Sequence, residues 1–110
     1  MADVYHAPAG VVAELERGLR WHERGLSGDG LTPATVRWAR KLVRGDRITQ
    51  DKAVKMRAWL ARHRVDKQGE GFNPGERGYP SPGRVAWALW GGDAALTWSA
   101  RVVSAFENAR

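Results

Sequence analysis

The sequence predicts an all-α fold: a compact bundle of about five helices, with one long Gly/Pro-rich loop wrapped around it. Three observations carry that expectation. Apolar residues recur at helical spacing through most of the chain. Capping residues, prolines and glycines punctuate those stretches. No segment alternates apolar and polar residues as a half-buried strand does. At 110 residues the chain reads as a single domain, residues 1–110. Its 43% hydrophobic content and six tryptophans can supply a core without cross-links. The absence of cysteine excludes disulfides, zinc–thiolate sites and thiol catalysis.

The first helix is expected from about Pro8 to Arg24, with Val11, Val12, Leu15, Leu19 and His22 on one face and Gly25 at the left-handed stop. LSGDGL then reads as a turn. The second helix has Thr32 as N-cap, Pro33 as first residue and Gly45 as terminator. Val36, Ala39 and Val43 form its inner stripe, with Leu42 beside them. The third helix starts from Thr49, with Asp51 near its positive end. Ala53, Met56, Trp59, Leu60 and His63 form its apolar arc. Val54, Ala58 and Ala61 form a back face of small residues, read as a packing surface within the domain.

Residues 66–83 hold five glycines and three prolines, so no helix can cross them. Phe72 and Tyr79 are expected to anchor this stretch as an ordered, wrapped connection. A Trp-rich helical pair follows over 81–107. Ser81 caps and Pro82 opens a short helix running to Trp90, and Gly91, Gly92 and Asp93 turn the chain into a final helix, with Asp93 as its cap. Val85, Ala86, Leu89 and Trp90 are expected to face inward, Trp90 against Leu96 or Val103. Trp87 is placed on a less buried flank.

Charge is unevenly spread. Residues 1–31 carry three arginines against five acids, residues 32–67 eleven cations against three aspartates, and residues 68–110 four of each. The net charge of +6 therefore originates in the middle third. There the second and third helices, over 32–67, read as a basic helical hairpin loosely like a helix-turn-helix. Arg37, Arg40, Lys41 and Arg44 fall on one face of the first; Lys55, Arg57, Arg62 and Arg64 flank the arc of the second. Such clustering suits a polyanion, with duplex DNA favoured, bound through phosphates with little sequence discrimination. Trp38 and Trp59 are candidates for stacking on unpaired bases as well as for the core. A solvated face that only aids solubility is the plain alternative.

The sequence gives no sign of enzyme chemistry, cofactor or metal. His6, His22 and His63 lack metal-ligand spacing, and GEGFNPGERG lacks the lysine and preceding strand of a phosphate loop. His63 reads as a packed, hydrogen-bonded histidine. The opening MADVYHAPAG has neither the basic nor the apolar region of a signal peptide, and no apolar run approaches the roughly 18 residues needed to span a membrane.

The stretch MRAWLARHRVDKQGEGFNPGERGYPSPGRVAWALWGGDAALTW, with its RHRVDK and GYPSPGRVAWALWGGDA blocks, resembles a small domain recurring in tailed bacteriophages and prophages, alone or appended to larger phage proteins. The resemblance spans roughly residues 32–100 and leaves 1–31 outside. It implies a phage origin, hence the bacterial host cytoplasm or the virion as location, and it transfers no catalytic residues. It also opens a second function: a virion or assembly component docking on another phage protein, with Phe72, Tyr79 and Trp87 as docking residues.

Overall fold

Pro8 sits in extended geometry, and its carbonyl accepts from the N–H groups of Val11 and Val12, which starts α1 (Ala9–Glu23). The computed structural model describes residues 3–109. Gly25 takes a φ of +77° just past α1, the left-handed conformation that ends a helix at least cost in glycine. α2 (Pro33–Val43) follows, and then α3 (Gln50–His63), whose cap Thr49 accepts from the Lys52 N–H at 3.2 Å. A 3-10 turn (Arg64–Gln68) continues directly from α3. After the loop come α4 (Pro82–Leu89), capped by Ser81 through the Arg84 N–H at 3.1 Å, and α5 (Gly92–Asn108). Among the described residues the chain is helical and holds no strand, as the sequence predicts.

α3 lies along α5, while α1 packs on α4, α2 and α5. Val11 and Leu15 of α1, Leu42 of α2, Ile48 just before α3, Met56 and Leu60 of α3, and Trp98 of α5 are all essentially inaccessible. The α1–α4 contact depends on Gly18: a Cβ there would stand 2.8 Å from the Leu89 nitrogen, so only glycine lets the two backbones come this close. The loop is tied in as well. Phe72 is buried edge-on to Trp87, Tyr79 meets Trp21 edge-on, and the Ser81 N–H donates to the Gly71 carbonyl at 2.9 Å. Arg84 is buried between Trp21 and Phe72, with Nη1 2.8 Å from Glu14 Oε2 in an ion pair that lacks linear hydrogen-bond geometry.

Several expectations are corrected. Trp87, not Trp90, is the buried indole of α4, at 2% exposure. The reason is that α4 is enclosed by α1, α2, the 3-10 turn and α5, so it has no single inner face. Asp93 lies inside the first turn of α5, and Gly91, with a φ of +98°, occupies the cap position. The Asp93 carboxylate instead accepts from Trp87 Nε1 at 3.0 Å and Lys67 Nζ at 2.9 Å. On α2 the buried stripe is Thr35, Val36, Ala39 and Leu42, leaving Val43 half-buried. Val54, Ala58 and Ala61 are exposed because α3 turns its opposite face to α5. α2 and α3 do not pack as a hairpin; each lies on a different partner, α2 on α1 and α3 on α5.

Candidate nucleic-acid interface

Because α2 and α3 each bury one stripe, their remaining faces carry the cations outward. Arg37 and Arg40 on α2, Arg57 and Arg62 on α3, and Arg64 in the 3-10 turn are exposed and make no ion pair among the described residues. The other three candidates are engaged. Arg44 grips Asp46 through Nε at 3.1 Å and Nη2 at 2.9 Å, and that hydrogen-bonded grip holds the Asp46 carboxyl below its ordinary range. Lys55 pairs with Asp51 at 3.1 Å one turn away. Lys41 lies half-buried with Nζ 4.3 Å from the centre of the Trp38 ring.

Between α2 and α3 lies a cleft of about 240 Å³, with Thr32, Thr35 and Trp38 on one wall, Lys52 and Lys55 on the other, and Trp90 as floor. Lys52 is its central feature. The side chain is only 6% exposed, and Nζ stands 3.7 Å from the Trp90 ring centre and 5.9 Å from that of Trp38. No carboxylate or hydrogen-bond acceptor partners it among the described residues. Burial, with a smaller push from Lys55, lowers its pKa to about 8. The ring faces of Trp90 and Trp38 attract the charge.

Trp90 stacks nearly parallel on Trp59, centroids 5.1 Å apart, and Trp59 in turn stacks on His63 at 4.1 Å. An ammonium at 3.7 Å and an indole at 5.1 Å cannot share one face, so Trp90 is covered on both sides. Trp59 already has two stacking partners, which removes it as a free platform for an unpaired base. His63 is hydrogen-bonded as expected, its Nδ1 2.9 Å from Asp66 Oδ2.

No family model, curated protein or solved structure matches this chain.

The structure therefore brings Lys55 to the cleft, spreads the five unpaired arginines over outward faces, and holds Arg44 back. Phe72 and Trp87 are buried as loop and helix anchors and Tyr79 is half-buried against Trp21, yet all three border one surface cleft together with Arg84 and Asp93. Lys52 is the residue of this cleft that charge clustering along the sequence misses. A signal for it exists: Lys52 stands four residues before Met56 and seven before Trp59, in line with the apolar arc.

Proposed function

We propose that the chain is a small, non-catalytic nucleic-acid-binding protein of phage type, engaging duplex DNA through phosphates. The observation that supports this most directly is the set of exposed arginines that make no ion pair among the described residues: Arg37, Arg40, Arg57, Arg62 and Arg64. Free guanidiniums on convex helical faces suit a polyanion, and the exposed faces of α2 and α3 that carry them hold no asparagine. Affinity for a random-sequence duplex should fall steeply with salt, in proportion to the number of phosphates neutralised. Binding that ignores salt, or no binding at low salt, would overturn the proposal.

A second reading, docking on another phage protein, draws on one specific feature. Val54 and Val65 are 48% and 64% exposed, in line with exposed Ala58 and Ala61, between the Arg57/Arg64 and Lys55/Arg62 flanks. An apolar strip bordered by cations suits an acidic amphipathic helix. Val54→Asp with Val65→Asp should abolish such docking while lowering DNA affinity only modestly.

A further inference from the structure

We infer that the cleft between α2 and α3 is a binding site for a phosphate group, seated between Lys52, Lys55 and the open first turn of α2. For its biological source this rests on the nucleic-acid reading above; its oxyanion chemistry does not.

Two independent observations converge there. The first is Lys52, a residue more than nine-tenths buried that lines the cleft and whose ammonium has no anionic partner among the described residues. A buried cation without a counter-ion is costly, and proteins pair such groups or hold them for a ligand that does. The second is the N-terminus of α2. Its cap Thr32 makes no side-chain hydrogen bond to the helix backbone, because Thr32 Oγ1 is turned toward Thr35 Oγ1 at 3.1 Å. The Ala34 N–H of the first turn has no intrahelical acceptor, and both threonine hydroxyls and Ala34 border the cleft. Pro33 brings no N–H and the Thr35 N–H is held by the Thr32 carbonyl, so the Ala34 N–H is the free donor there, and with the positive end of the helix it favours an oxyanion.

Size selects among oxyanion-bearing ligands. About 240 Å³ lies below the roughly 300 Å³ at which pockets begin to take drug-sized molecules. The covered faces of Trp90 leave no stacking slot for a base on the floor. The cleft thus suits the phosphate alone, with the rest of the ligand outside. The one carboxylate on its wall, Asp51, is already paired by Lys55.

The test is a titration of ¹⁵N-labelled protein with inorganic phosphate near neutral pH, ionic strength being held constant with chloride. Saturable shifts are expected at the Ala34 and Thr35 amides and the Trp90 indole N–H. Lys52→Met should weaken them at least tenfold, and Lys55→Ala, at an exposed position that leaves folding intact, several-fold. Shifts that never saturate, or that keep their midpoint in both variants, overturn the site. Two short single strands, one 5′-phosphorylated and one 5′-hydroxylated, identify the source. Cleft shifts with both support an internal phosphodiester, and shifts with the phosphorylated strand alone support a terminal phosphate. Failure of duplex binding with intact phosphate shifts would overturn only the nucleic-acid reading, leaving the phosphate site standing.

Discussion

The indole N–H of Trp87 donates to Asp93 Oδ1 at 3.0 Å, and the same carboxylate receives Lys67 Nζ at 2.9 Å. One acid in the first turn of α5 therefore connects the buried ring of α4 to the end of the 3-10 turn. The bond satisfies a polar atom that would otherwise be stranded, since Trp87 is 2% exposed. Trp90, three residues on, has no such role; it lies half-buried between Trp59 and the Lys52 ammonium.

Trp87→Ala should accordingly cost about 3–5 kcal/mol, as emptying a core aromatic site does. Trp90→Ala should cost about 1–2 kcal/mol, the scale of one stacked pair and one cation–π interaction. Urea denaturation of the two variants ranks them. The reverse order would mean that the fold rests on the floor of the cleft.

Gly18 is mid-helix in α1, where alanine ordinarily gains up to about 1 kcal/mol over glycine. Here the added methyl would meet the Leu89 nitrogen at 2.8 Å and the Ala88 carbonyl carbon at 3.0 Å, both backbone atoms. Gly18→Ala should therefore lower Tm, against the propensity. A gain in Tm would show that α4 can move away from α1 at little cost.

Lys52 gives a pH signature. Its pKa falls from 10.5 in the unfolded chain to about 8 in the folded one. Between those values the unfolded chain holds more protons, so the Lys52 contribution to stability rises with pH across that window. Below about pH 8 the ammonium stays charged in both states and its burial penalty is fully present. Lys52→Met removes the penalty, so the difference in Tm between variant and parent should shrink from pH 8 toward 10.5. A difference constant over that range would place the Lys52 pKa near its unfolded value.

Charge reversal at Arg37, Arg40, Arg57 and Arg62 should leave the melting curve nearly unchanged, since these side chains are exposed and unpaired. It should flatten the salt dependence of duplex binding by about one unit for each phosphate no longer neutralised. Arg44→Ala should change affinity far less, because its guanidinium is already committed to Asp46. Filter binding across a salt series measures both. An equal weakening from Arg44→Ala would show that the Asp46 pair opens when nucleic acid arrives.

Helix positions were legible in the sequence because their ends carry local chemistry: Thr49 and Ser81 cap through their side chains, and Gly25 and Gly91 turn left-handed. The anchoring of the loop by Phe72 was legible too, as a large apolar ring among small residues. Which tryptophan of α4 is buried was not. Helical periodicity assumes one wet side, and an eight-residue helix enclosed by several elements has none. The Val54–Ala58–Ala61 face failed for a related reason, since small residues permit close packing without requiring it. In the cleft, the exposed Lys55 could be read as a surface cation. Lys52 is marked only by its place in line with Met56 and Trp59, because charge clustering along the sequence does not separate a buried lysine from a solvated one.

Trp98 Nε1 donates to the Val4 carbonyl at 2.7 Å across 94 positions of sequence, and the Ile48 N–H holds the Tyr5 carbonyl at 2.9 Å. The arm before α1 is thus held by the middle and the far end of the chain. During synthesis Val4 emerges well before Trp98 and finds its donor only once Trp98 has left the ribosome. Closing so long a loop carries an entropic cost that only later packing repays. Until then the arm has only the Ile48 N–H to hold it, and deleting residues through Val4 would leave the indole of Trp98 without its acceptor inside the finished bundle.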